Sequence, residues 1–108
     1  MANTSTGLDE NIAGLLCYVL GWLSGFVFIL LEQGNKFVRF HAMQSIIVFG
    51  AFTIVIFVLN WIPVLGIFFT AILSIVAFVL WIVLMAMAYK GKLYKLPWAG
   101  NIAERWAG

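Results

Sequence analysis

Charge is what this sequence has least of. Only 10 of its 108 residues are Asp, Glu, Lys or Arg, or 9%, against about 25% in an ordinary soluble domain. That is too little to cover a water-facing surface. It also excludes an intrinsically disordered chain, which depends on high charge and low hydrophobicity. Six basic against four acidic residues leave a net charge of +2, far from the dense basic face of a soluble nucleic-acid binder, so no nucleic-acid partner is expected. Cysteine occurs once, at Cys17, and a disulfide framework is excluded. Histidine also occurs once, at His41, with no second histidine or cysteine at ligand spacing, so no metal is expected. No catalytic pair of carboxylates, nucleophile–base–orienter set, phosphate loop or H-E-x-x-H motif occurs. The chain reads as a non-enzyme without a cofactor.

What is present is hydrocarbon: 65% of the residues are Ala, Val, Ile, Leu, Met, Phe, Trp, Tyr or Cys. Between Glu10 and Glu32 lie 21 residues without a charge, and between Arg39 and Lys90 lie 50. A bilayer core of about 30 Å takes about 20 helical residues, so the first run fills one crossing. The second must fold back, and Asn60-Trp61-Ile62-Pro63 is the break, because proline removes a donor and biases its predecessor away from helix. Strands would alternate with polar residues, and they do not. The expected architecture is therefore all-α: one integral membrane domain over residues 1–108, with transmembrane helices at about 12–31, 42–62 and 64–88. An interfacial, amphipathic tail follows over 89–108.

Lys36, Arg39, Lys90, Lys92, Lys95 and Arg105 fall together on one side of such a three-span chain. Basic flanks are enriched on the cytoplasmic side. That predicts a multi-pass protein of a prokaryotic cell membrane with its N-terminus outside and its tail in the cytoplasm. The segment before the first span has Asp9 and Glu10 and no base, unlike a signal peptide, so that span is expected to be retained. Thr6-Gly7-Leu8-Asp9 fits a capping box at its start.

Helices in lipid associate through small residues and interhelical hydrogen bonds. Gly14, Gly21 and Gly25 are spaced to share one face of the first helix, with Gly21 and Gly25 in a G-x-x-x-G. Gly66, Thr70, Ser74 and Ala77 form a second ladder. Each serves packing within the protomer or an interface between subunits. Gln44, Ser45, Thr53 and Asn60 form a polar stripe on the second helix, which either lines a solvated path or bonds to its own carbonyls. His41, at the mouth of that helix, is a proton switch or a bonded structural group. The loop carrying Lys36, Phe37, Arg39 and Phe40 interleaves bases with aromatics, as does the tail from Lys90 through Lys92 and Lys95. There Pro97 opens a short helix with Trp98, Ile102 and Trp106 on one face. This surface suits anionic lipid headgroups or an acidic partner.

At Val38-Arg39-Phe40-His41-Ala42-Met43-Gln44-Ser45 the sequence resembles small prokaryotic membrane proteins related to the twenty-kilodalton Tic component of the chloroplast inner-envelope import machinery. Pro63-Val64-Leu65-Gly66 and Gly91-Lys92-Leu93-Tyr94-Lys95-Leu96-Pro97 look like further landmarks, and the similarity runs over most of residues 8–105. The plastid protein has one span more. The resemblance implies an all-helical scaffold or translocation-related subunit, matched by motif at Arg39, His41, Gln44 and Ser45 without assigning them roles. A homo-oligomer or a membrane-protein partner would accompany it. The alternatives are an oligomeric channel or carrier for a small solute, lined by the polar stripe, and a lipid-interacting, membrane-shaping protein.

Overall fold

A computed structural model describes residues 4, 7–93, 95–96 and 99–107. Five helices follow in order: α1 (Glu10–Val19), α2 (Trp22–Leu31), α3 (Lys36–Leu59), α4 (Pro63–Tyr89) and α5 (Ala99–Ala107), with no strand among the described residues. The central helix is α3, which packs against all four others.

Two helices, α3 with 24 residues and α4 with 27, are long and apolar enough to cross a membrane. They form the hairpin expected at the proline. Ile62 is extended before Pro63, and Pro63 occupies the first turn of α4, where its missing N–H costs nothing. The start of α3 lies earlier than expected because Asn35 is its N-cap: the Asn35 side chain accepts a hydrogen bond from the Val38 N–H at 3.1 Å. The loop expected to run to His41 is thus already helix from Lys36.

The first apolar run is not one crossing. It is two ten-residue helices, each about 15 Å long, broken at Leu20-Gly21. Gly21 has φ +64° and ψ −135°, a conformation open to glycine and strained for other residues. The chain reverses there. At one end of the hairpin the Glu10 carboxylate accepts from Asn35 Nδ2 at 2.9 Å, and the Glu32 carboxylate accepts from the Asn35 N–H at 3.1 Å. At the other end a Cβ on Gly21 would sit 3.6 Å from Phe49 Cβ. From Lys36 to Phe49 is 13 residues, so the α1–α2 hairpin runs beside about 20 Å of α3.

A break inside so apolar a stretch requires partners for the freed backbone groups, because hydrocarbon offers none. They do. Ser24 Oγ accepts from the Leu20 N–H at 3.0 Å and donates to the Cys17 carbonyl at 2.9 Å. The Tyr18 carbonyl accepts from the Gly21 N–H at 3.0 Å and from Trp81 Nε1 at 2.6 Å. The Gly21 carbonyl accepts from Ser45 Oγ at 2.7 Å.

The start of α1 and the tail, expected at opposite ends of the fold, lie together at one end. Asn11 Nδ2 donates to the Tyr89 carbonyl at 3.0 Å, so the start of α1 lies beside the end of α4. Every charged residue, from Asp9 to Arg39 and from Lys90 to Arg105, sits at this end. The far half, the α3–α4 hairpin around Asn60, is uncharged and apolar, and α4 buries little of its apolar length within the chain.

Candidate functional site

The polar chemistry concentrates where α1, α3 and the connector between α4 and α5 meet. Tyr18, His41 and Gln44 are fully buried there. His41 Nε2 lies 2.9 Å from the Lys92 carbonyl, and Nδ1 lies 2.6 Å from Tyr18 Oη. A carbonyl only accepts, so Nε2 carries the proton, and in the neutral ring Nδ1 accepts from the tyrosine hydroxyl. Gln44 Nε2 in turn donates to Tyr18 Oη at 3.0 Å, and Gln44 Oε1 accepts from the Leu96 N–H at 3.1 Å. The bonds run in one consistent sense from Leu96 through Gln44, Tyr18 and His41 to Lys92. The network fastens the α1–α2 hairpin and the connector to α3. Phe37 and Phe40 wall His41 edge-on, with ring centroids 4.7 and 5.2 Å away.

Arg39 forms a second fastening. Its Nη1 donates to the carbonyls of Ile29 at 3.0 Å and Glu32 at 2.7 Å, and its Nε donates to the Ala107 carbonyl at 2.8 Å. One guanidinium thus closes the C-terminal ends of α2 and α5, where unpaired carbonyls and the helix dipoles favour a cation. These donors are committed to backbone and so are withdrawn from the surface expected to meet anionic headgroups or an acidic partner.

The glycines are placed as follows. A Cβ on Gly14 would lie 2.8 Å from Phe37 Cε1 and 3.3 Å from Ala88 Cβ, between α3 and α4; one on Gly25 would lie 2.7 Å from the Ala42 carbonyl. Gly14, Gly21 and Gly25 all meet α3, but they do not share a face of one helix, because Gly21 is the break itself. Gly66 closes the α3–α4 turn, where a side chain would overlap the Leu59 carbonyl. Thr70 is half-buried with its hydroxyl unbonded, and Ser74 is exposed.

The polar stripe does not come together as a path. Gln44 and Ser45 are consumed in the contacts above, Thr53 Oγ1 donates to the Phe49 carbonyl of its own helix at 2.7 Å, and Asn60 lies exposed at the distal turn. Lys36, Lys90 and Lys92 are exposed, and Lys95 pairs with Glu104 at 2.5 Å. In α5 the small residues Ala99, Gly100, Ala103 and Ala107 are buried, while Trp106 is 67% exposed and Ile102 half-buried. Trp98, Pro97 and Thr6, the last from the expected capping box, lie outside the described residues; Asp9 is the N-cap of α1 without a side-chain cap bond.

Sequence reasoning passed over Tyr18, Ser24, Asn35 and Trp81. The signals were available: a hydroxyl or indole inside an apolar run must find a partner, and Asn before a helical segment is a preferred cap.

Comparison with known proteins gives the family. The sequence model of the magnetosome magnetite crystal formation protein family matches residues 7–103. A UPF0132 membrane protein of Methanocaldococcus jannaschii is 49% identical over 107 residues, covering 99% of this chain and 96% of that protein. A second from the same organism is 46% identical, over 93% of this chain and 71% of the relative. One from Archaeoglobus fulgidus is 43% identical, over 94% of this chain and 98% of the relative. No solved structure matches. The resemblance to the Tic import component is overturned by these matches, none of which leads to it, and the protein-transport role drawn from it falls too. The chain is a membrane protein that belongs to the UPF0132 membrane-protein family and, by the model matching nearly its whole length, to the magnetosome magnetite crystal formation protein family.

Proposed function

We propose that this protein is a non-enzymatic membrane scaffold with two crossing helices and one re-entrant helical hairpin, exposing a basic, aromatic face at the cytoplasmic surface of a prokaryotic membrane. The observation that carries the reading is the commitment of the buried polar side chains. Tyr18, His41, Gln44, Ser24, Ser45 and Asn35 all hold backbone or one another. Their work is to fix the shape of the charged end. The positive-inside rule supports assigning that end to the cytoplasm, since all six bases flank it.

The family description concerns crystal formation. Among the described residues no three His, Cys, Asp or Glu side chains converge to hold a metal ion, and the charged end has more bases than acids. We infer a supporting role in the membrane for this chain. A solute channel is the weaker reading, because Ser45, Thr53 and Asn60 are separated by burial, lipid exposure and position at the distal turn.

Membrane topology and assembly test the proposal together. Single cysteines introduced at Leu8, Trp61 and Trp106 in a Cys17→Ser background should divide in vesicles of known orientation. Leu8 and Trp106 should react with a membrane-impermeant thiol reagent from the cytoplasmic side and Trp61 from the other. Native mass spectrometry from nanodiscs should show a defined oligomer or a retained protein partner, and proteoliposomes should show no flux. Leu8 reacting from the side of Trp61 would overturn the topology. A bare monomer without a partner, or solute flux, would overturn the scaffold.

A further inference from the structure

Between α3 and α4, on the membrane side of the connector, lies an open cavity of about 590 Å³. Its lining is hydrocarbon, including Ala51 and Phe52 of α3, Leu73 and Leu80 of α4, and Leu96 and Ala99 at its charged-end limit. Along α3 the lining runs from residue 47 to 55, about 12 Å parallel to the helix axis. Its size is that of a pocket for one small ligand or chain segment, which commonly measures about 300–1,000 Å³. An unfilled apolar groove forfeits dispersion contacts along its walls. At this depth the surrounding medium is lipid tail.

The position of the connector supplies the polar half of the argument. The Lys92 carbonyl is held by His41 and the Leu96 N–H by Gln44, so the connector is pinned along α3 from residue 41 to 44, about one turn below the groove. It carries Lys90, Lys92 and Lys95. Glu104 is drawn to Lys95, Glu10 accepts from the Asn35 side chain and Glu32 accepts from the Asn35 backbone. Lys90 and Lys92 are exposed, with no acidic partner among the described residues.

We propose that the groove is a binding site for an anionic membrane lipid, with one hydrocarbon chain lying between α3 and α4 and the headgroup drawn to Lys90 and Lys92. The shape selects a chain and the bases select its charge. Either feature alone would describe any membrane protein; the site consists in their being held together, with His41 fixing the Lys92 carbonyl about 9 Å along α3 from the first lining residue, Ile47.

The test uses the full chain in nanodiscs with phosphatidylglycerol carrying a diazirine in its acyl chain, competed by unlabelled phosphatidylglycerol or phosphatidylcholine. Labelling should concentrate on the segments 47–55 and 73–80, and phosphatidylglycerol should compete about tenfold better, since each base near an anionic surface is worth roughly fivefold before screening. Ala51→Phe should fill the groove and abolish the labelling. Lys90→Gln with Lys92→Gln should keep the labelled segments but remove the preference. Labelling spread evenly along α4, or equal competition by the two lipids, would overturn the proposal. So would a dimer dispersed by Ala51→Phe with no lipid retained, which would assign the groove to a second copy. The labelling map on the unaltered chain decides the site even if Ala51→Phe fails to fold.

Discussion

Removing a single oxygen from Tyr18 should loosen both the hairpin and the tail. Tyr18→Phe keeps the ring and its edge-on contact with His41, 5.4 Å between centroids, so no sizeable cavity forms. What it removes is the acceptor for Gln44 Nε2 and the donor for His41 Nδ1. Both groups are fully buried, and a buried polar group left unsatisfied costs about 1–3 kcal/mol, giving a ceiling of about 6 kcal/mol for the two. Interhelical bonds in membrane proteins average about 0.6 kcal/mol because the unfolded chain in lipid also finds partners, which sets a floor of about 1.2 kcal/mol. We expect about 1.2–3 kcal/mol, read from unfolding of the chain in mixed micelles on titrating a denaturing detergent. Tyr89→Phe, at an exposed position, should change stability by less than about 0.5 kcal/mol. Because Gln44 and His41 hold Leu96 and Lys92, amide exchange over 92–107 should quicken in Tyr18→Phe and stay unchanged in the control. A stability change under about 0.5 kcal/mol, with exchange in the tail unaltered, would refute the network as the fastening of the charged end.

Two further substitutions separate packing from capping. Gly25→Leu drives a side chain into the Ala42 carbonyl and the Ser45 side chain; it should destabilise the protomer by at least about 1–3 kcal/mol and expose 22–31 to exchange. Dispersal of an oligomer with the protomer intact would place Gly25 in a subunit interface instead. Arg39→Gln withdraws cationic donors from the ends of α2 and α5 and should cost about 2–4 kcal/mol, at about 1.5–3 kcal/mol per charged bond with partial rescue by water. Limited proteolysis should then cut near residues 99–107 first, and unchanged resistance there would count against the double cap.

Composition alone determined that the chain lives in lipid, since so few charges leave no other solvent for 108 residues. The sequence also determined the α3–α4 hairpin, because a 50-residue uncharged run exceeds any single crossing and proline marks where it turns. The clustering of all six bases was legible, and in the sequence it fitted three crossings. Only the tertiary structure showed that the first apolar run is two short helices that reverse at Gly21. Gly21 reads in sequence as half of a packing motif, and it becomes a chain reversal only because Ser24, Ser45 and Trp81 stand where the freed backbone groups need partners. Three helices contribute those side chains. The same holds for His41, Gln44 and Arg39: their residue types announced polar work in lipid, but which carbonyl each would hold depended on chain ends more than 50 residues away. Local patterns register hydrophobic runs and helix breakers; the satisfaction of buried polar groups is a property of the assembled fold.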